Sequence, residues 1–433
     1  MEMTKSDVDE TAEIEGDGII LHQVEETPDI EEIVMSEEDI AASEVLKGED
    51  AVKLNEALAS IKVNADDVKL TKINLKKLDD ANEVADLYNE FNDFLEVKGE
   101  LRAEVGEKKT ISTGIDVLDA ILGGGFPVGA LSIIVGNPGS GKSMLAIQTM
   151  GAGQRQYKGC LTSFLDSEEA TTSQRLSNLG VNKPKINPYV DITIEKIFKH
   201  LEVMCLFKEK KGMNDLPSVL CWDSIANTSS QREREVEDLN QAIGFKARLL
   251  SFLLPKYIAK CSKHNIAFIA VNQLREQLAM GQFAPAKELR FLSAGKSLPG
   301  GQSLKFNAFL LLEMKAKGVL DPAKYGFPGI LVSVTTVKNK IAPPNQTVEL
   351  IGDFIRGFNN IRTNFHFLAQ HKRLTTGAWN YLVSFPEKKF RTKDLETLYN
   401  EDTVFKTSFD AAVKECIQTE IINPTLINPI GNE

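Results

Sequence analysis

Eight residues constrain the fold more than any others: Gly136-x-x-x-x-Gly141-Lys142-Ser143, within LSIIVGNPGSGKSMLAIQTM at 131–150. The run at 131–135 is apolar and β-branched and reads as a buried parallel strand, while 143–150 opens an apolar-rich helix. Gly136, Gly139 and Gly141, with Asn137, Pro138 and Ser140 between them, let the loop curl so that successive N–H groups face inward. A phosphate chain is the ligand such a cradle suits, aided by the partial positive charge of the helix N-terminus. Lys142 is placed to reach the β/γ-phosphates and the Ser143 hydroxyl to ligate Mg²⁺. A nucleoside triphosphate is the expected ligand.

The chain has 433 residues and is 42% apolar, enough for a large core with one or two smaller satellites. Its net charge of −11 is unevenly spread: residues 1–50 hold 18 Asp/Glu against 2 Lys, so the remainder carries +5. An acidic tail ahead of a mildly basic body is compatible with nucleic-acid binding, which the whole-chain charge would argue against. Residues 1–50 read as a disordered tail, one option being a DNA mimic that competes for a basic site. The N-terminus has no basic then apolar leader, and no run of 18 apolar residues occurs, so the expectation is a cytoplasmic chain with no membrane partner. Cys160, Cys205, Cys221, Cys261 and Cys416 are odd in number and scattered, so they read as reduced small hydrophobes.

Helical spacing marks 51–98, with Leu54, Leu58 and Ile61, then Val84, Leu87, Tyr88, Phe91 and Leu95 on one face. We assign 51–107 to a helical N-terminal oligomerisation element. Ile111-Ser112-Thr113-Gly114 before Leu118, Ile121 and Leu122 predicts a side-chain-capped helix ended by Gly123-Gly124-Gly125. Strands are expected at 160–165, 218–222, 266–271, 306–313 and 331–337, and helices at 190–207, 245–262 and 407–417. Strands alternating with helices give a doubly wound, mostly parallel α/β sheet over 108–358, with a small C-terminal α+β domain over 359–433. Ligands bind such sheets at the carboxyl ends of the strands. Asp166, Glu168, Asp223, Asn272 and Gln273 all fall there.

Beyond the phosphate loop, several ordered blocks resemble the RecA recombinase family over roughly residues 108–385. They are ISTGIDVLDAILGGGFPVG, LDSEEATTSQRLSNLGV, GFKARLLS, AVNQLR, PGGQSLKF and VKNKIAPP. The last two are the most specific, and the scattered identity with long insertions is closer to the phage, UvsX-like branch. The resemblance implies a RecA-like ATPase core in which Lys142, Ser143 and Asp223 bind MgATP. Glu168 would polarise the attacking water, Gln273 would sense the γ-phosphate, and Lys338 and Lys340 would reach the neighbouring protomer's phosphates. Arg175 stands where cellular members place a Tyr against the adenine.

Two segments would face DNA. The first, 228–244, ends at Gly244 with Arg248 one turn on. The second, 274–301, is long for a connection inside a compact domain and carries Arg275, Lys287, Arg290 and Lys296 interleaved with Met280, Phe283 and Phe291. Cations there would track phosphates while apolar side chains stack on bases. Gly300 and Gly301 close it. The expected activity is that of a DNA-dependent ATPase that polymerises as a helical filament on single-stranded DNA. It would pair that strand with double-stranded DNA, served by mediator or single-strand-binding proteins. Rival readings are a ring-forming RecA-fold helicase and a RecA-like accessory ATPase that needs neither DNA loop. A phage-encoded chain would act in the host cytoplasm.

Overall fold

The computed structural model describes residues 108–182, 186–188, 192–235, 244–276 and 289–423. The expectations for 1–107, for Phe283, Lys287 and Met280, and for 424–433 lie outside the described residues.

A two-stranded ribbon, β1 (Thr110–Ile111) with β2 (Phe126–Pro127), encloses helix α1 (Asp116–Leu122) and leads into β3 (Ala130–Gly136). Then come α2 (Lys142–Gln156), β4 (Thr162–Asp166), α3 (Ser173–Asn178), β5 (Ile186–Pro188), α4 (Ile194–Lys210) and β6 (Ser218–Asp223). After α5 (Gln231–Glu235) and α6 (Phe245–Lys263) the chain enters β7 (Ile266–Gln273). The short strands β8 (Arg275–Glu276) and β9 (Lys296–Ser297) pair antiparallel and precede α7 (Gln302–Asn307). Next are β10 (Leu310–Leu320), α8 (Pro322–Tyr325), β11 (Gly329–Asn339), β12 (Thr347–Asp353) and β13 (Gly357–Phe358).

Among the described residues, the main sheet has nine strands in the order β13-β12-β11-β10-β3-β7-β6-β4-β5. Every pair from β10 through β5 is parallel, and β11, β12 and β13 extend one side antiparallel. All seven residues of β3 are buried, as expected of a central strand covered on both faces. Its alternate residues feed two separate cores. Ile134 joins the core built with α1 and α2, whereas Ile133 and Val135 join the one built with α4, α6 and α7.

The second core contains the aromatic group that fixes the end of β6. Trp222 is fully buried, lies parallel to Phe268 at 6.3 Å, meets Phe198 edge-on at 6.3 Å, and donates its indole N–H to Thr228 at 2.7 Å. Truncating such a residue costs about 3–5 kcal/mol, so the carboxylate that follows it in the chain is rigidly based.

Residues 360–423 add α9 (Asn360–Gln370), strands β14 (Leu374–Thr375), β15 (Asn380–Leu382) and β16 (Phe385–Phe390), then α10 (Leu395–Glu401) and α11 (Thr403–Ile417). The three strands form a separate antiparallel sheet. Phe365, Leu368, Phe390, Phe405 and Phe409 share one contiguous core with α1 and α2.

Two expectations need correction. Helix α1 is not capped by a serine or threonine: its N-cap is Ile115, with no side-chain cap bond. Asp119 instead reaches back, accepting from Ser112 Oγ (2.5 Å), Thr113 N (2.8 Å) and Thr113 Oγ1 (2.7 Å). Glycine does end the helix, through Gly123 in the left-handed region at φ 81°. Secondly, Phe306 and Asn307 are not strand residues but the last turn of α7. Gly301 starts that helix, and the Lys338 ammonium takes up the freed carbonyls of Lys305 and Phe306 at its end (2.7 and 3.0 Å), so the strand begins only at Leu310.

Candidate functional site

The loop between β3 and α2 lies at the carboxyl end of the parallel strands. Its glycines are demanded by close approach. A Cβ on Gly136 would run into the Met314 carbonyl oxygen, and one on Gly141 (φ +85°) would stand 2.8 Å from the Phe358 ring. Phe358 is locked there by Gln148, whose amide donates to the Phe358 carbonyl (2.9 Å) and accepts from its N–H (2.8 Å). Asn137, Pro138 and Gly139 form the exposed lip of the loop, while Ser140 is buried. The Ser140 hydroxyl has no hydrogen-bond partner among the described residues. A buried orphan hydroxyl in a glycine-rich loop at a helix N-terminus fits a phosphate ligand.

Lys142 is only 8% exposed and donates to the Asn137 carbonyl at 2.8 Å. Burial pulls its pKa down, opposed by the charges of Asp223 and Glu168. Asp223 is 5% exposed and its carboxyl is pushed up to about 6. Burial is the main cause, a Ser143 hydrogen bond works against it, and the neighbouring Glu168 and Asp166 add to it. A serine hydroxyl bonded to a buried carboxylate that Lys142 only partly compensates is a donor set that fits a hard divalent cation such as Mg²⁺.

Glu168 follows β4 in a loop braced by Asp166, whose two carboxylate oxygens accept the N–H groups of Glu168 and Thr171, each at 2.9 Å. The exposed Glu168 carboxylate then accepts, all at Oε1, from Asn227 (2.6 Å), Ser224 (3.1 Å) and Gln273 (3.3 Å). The ends of β6 and β7 therefore donate to one oxygen of the acid that follows β4. Ser167 ties the same two loops, donating to the carbonyls of Asp223 (3.1 Å) and Ser224 (3.2 Å). The Asp223–Ser224 peptide between them is cis.

Asn272, fully buried, donates to the Pro299 carbonyl at 2.8 Å and accepts from the N–H of Gln273 at 3.0 Å. The chain that senses Glu168 is thus fastened to the closing end of the second loop, where Gly300 and Gly301 turn into α7. Gly300 (φ +102°) has no room for a side chain, since a Cβ would meet Leu304 at 2.5 Å.

A family model described as the RecA N-terminal domain matches residues 96–359. Protein RecA of Thermus thermophilus is 33% identical over 254 residues, covering 58% of this chain and 68% of the relative. Protein RecA of Mycoplasmopsis pulmonis is 28% identical over 306 residues, covering 70% and 84%. The chain belongs to the RecA family.

The mostly parallel α/β core described above is accordingly a RecA-like core. A crystal structure of the RadB recombinase superposes with a TM-score of 0.40 at 22% identity, covering 57% of this chain and 98% of that one.

The remaining expected residues of this RecA-family chain sit elsewhere. Lys338 and Lys340 are set back from the phosphate-loop edge of the sheet: Lys338 pairs with Leu311, which lies beside Ile133, three residues along β3 from Gly136. The exposed Lys340 lies over the Phe309 ring at 5.6 Å. Burial, then the charge of Lys340, lowers the Lys338 pKa. Arg175 is half-buried in α3, its N–H capped by the Thr172 hydroxyl. Gly244 starts α6 at φ 75°, and Arg248 and Arg275 are exposed.

Sequence reasoning missed three residues that organise the site. Asn227 grips Glu168, and Gln148 seats Phe358 on the loop. Lys246 is turned inward, donating to the carbonyls of Ile225 (2.5 Å), Ala226 (3.2 Å) and Thr228 (2.7 Å), which holds the chain after β6 in place. Burial lowers its pKa. Lys246 reads in sequence as one more cation of a DNA-facing segment, and nothing in its spacing distinguishes it from Arg248.

Proposed function

We propose that this chain is an ATP-dependent recombinase that forms helical filaments on single-stranded DNA and pairs that strand with a homologous duplex. The observation that carries the reading is the hydrogen bond between Gln273 and Glu168. It joins the acid beside the phosphate loop to the residue that opens the second loop, so phosphate chemistry and DNA contact share one linkage. Family membership supports the same assignment.

In this reading the phosphate loop, from Gly136 to Ser143, binds ATP, Lys142 neutralises the β/γ-phosphates, and Ser143 with Asp223 holds Mg²⁺. The metal, when bound, supplies charge neutralisation on the phosphate oxygens. Glu168 orients the attacking water and accepts its proton, with Ser224, Asn227 and Gln273 aiming the carboxylate. Lys338 and Lys340, set back from their own phosphate loop, serve the nucleotide of the next protomer. A site shared between copies makes hydrolysis depend on assembly. Arg175 packs near the base, and Gly244, Arg248, Arg275, Phe283, Gly300 and Gly301 contact DNA. Residues 1–50 are an acidic tail, 51–107 an oligomerisation element, and 359–433 a small appended domain. Mediator or single-strand-binding proteins assist loading, and a phage origin, with action in the host cytoplasm, completes the assignment.

The test is ATP hydrolysis by the purified chain with and without poly(dT), alongside electron microscopy of the same mixtures. Strand-stimulated hydrolysis with ATP-dependent filaments supports the proposal. Unstimulated hydrolysis without filaments points to an accessory ATPase, and closed rings that unwind a forked duplex point to a helicase.

A further inference from the structure

Glu313 is a buried acid that the catalytic reading leaves unused. It is 2% exposed in β10, in register with Val135 of β3 and one residue before Met314, whose carbonyl lies against Gly136 of the phosphate loop. An ionised carboxylate in such a place needs hydrogen bonds or a cation. Its donors come from the second loop: Ser293 gives its N–H to Oε2 at 3.2 Å and its hydroxyl to Oε1. Lys315, half-exposed on the same strand, is 3.5 Å from Oε2.

Among the described residues, the second loop is fastened to the nucleotide end of the sheet at two places, and its own two arms are tied together at a third. Arg275 and Glu276 pair with Ser297 and Lys296 at its base, Pro299 is held by Asn272, and Ser293 is held by Glu313. Leu292, beside Ser293, is buried in the second core, so the anchored turn has an apolar seat as well.

We propose that Glu313 is a positioning residue. Through Ser293 it sets the geometry of the second loop relative to the phosphate loop, so that DNA held by the loop raises the rate of hydrolysis. The inference rests on the DNA-dependent ATPase reading above. The physical argument is that a buried carboxylate and its donors hold only when all are in place. Losing the Ser293 hydroxyl leaves the acid under-compensated, and the turn bearing Ser293 loses its fixed distance from Gly136.

The experiment compares the full-length chain with Ser293→Ala, Ser293→Thr, Glu313→Gln and the Ser293→Ala/Glu313→Gln pair. Ser293 is half-buried, so its alanine variant removes a hydroxyl without opening the core. For each, kcat and KM for ATP are measured without DNA and with saturating poly(dT), together with Tm. The expected result is a loss of about tenfold in the DNA-stimulated kcat for Ser293→Ala and Glu313→Gln, with the DNA-free rate and KM unchanged. The double variant loses no more than either single, because both break one linkage. Ser293→Thr, which keeps the hydroxyl, retains stimulation.

Full stimulation in both single variants overturns the proposal. So does a parallel fall of DNA-free and DNA-stimulated rates with Tm, the mark of a merely structural role. If the unmodified chain itself shows no stimulation, the DNA-dependent ATPase reading fails first and this inference with it.

Discussion

Gln273 donates its side-chain amide to the Glu168 carboxylate across 3.3 Å, joining residues 105 positions apart in the chain. Gln273 ends β7 and Glu168 follows β4, so this contact spans the carboxyl ends of two strands that flank β6. The third strand end, after β6, supplies Ser224 and Asn227 to the same oxygen. In the proposed reading, a γ-phosphate arriving at the loop would compete for Gln273, and the amide would carry that change into the second loop.

Glu168→Gln keeps the shape of this cluster and removes the proton acceptor. Hydrolysis is expected to fall by about 10²–10⁴-fold while nucleotide affinity holds. Single-turnover hydrolysis beside equilibrium binding of a fluorescent ATP analogue checks it. Loss of binding in step with hydrolysis would assign Glu168 to ligand holding instead.

Lys142→Ala removes the buried ammonium that faces Asp223 and Glu168. Nucleotide affinity is expected to fall by on the order of 10²-fold, and ATP-dependent filaments to disappear. Because two carboxylates lose their nearby cation, the Asp223 carboxyl should also rise in pKa. Electron microscopy with and without ATP provides the readout, and filaments of normal length would remove Lys142 from the mechanism.

Lys340→Ala tests whether the site is shared. The residue is exposed and lies over the Phe309 ring, outside its own phosphate loop, so folding and nucleotide binding should be unaffected while assembled hydrolysis is lost. Mixing Lys340→Ala with Lys142→Ala protomers should then restore activity, since some interfaces pair an intact phosphate loop with intact lysines. Failure of the mixture to exceed its components would place Lys340 outside a neighbour's site. Lys338 is less suited to this test, because its ammonium also caps α7.

Asp119 gives a pH signature away from the site. Burial pushes its carboxyl up to about 6 against the pull of Ser112 and Thr113. A raised folded-state pKa means that the stability Asp119 contributes is fully present below pH 3.8 and is lost as pH rises through 6. Asp119→Asn abolishes this titration, so the fall in stability from pH 4 to pH 7 should shrink by up to about 3 kcal/mol relative to the unmodified chain. Urea midpoints at the two pH values measure it, and equal pH dependence in both proteins would contradict the assignment.

Much of this was legible in the sequence because the relevant signals are local. The phosphate loop needs closely spaced glycines before Lys142, and β3, β4, β6 and β7 are short apolar runs ending in polar residues at the sheet's carboxyl edge. What sequence could not supply were contacts made across distance. Asp119 looks like an exposed helix acid until Ser112 and Thr113 are seen to fold over it. Phe306 reads as the start of a strand because the helix end is stabilised by Lys338, 32 residues later. Lys246 and Arg248 are alike in sequence, yet one points inward to three carbonyls and the other outward to solvent. Glu313 belongs to the same class, since its meaning comes from Ser293 of the second loop.

Homologous pairing is read out by joint-molecule formation. A single strand is incubated with an intact duplex, homologous or heterologous, with and without ATP. The account predicts joint molecules only when homology and ATP are both present. Their absence under all conditions, with hydrolysis still stimulated by single-stranded DNA, would contradict it.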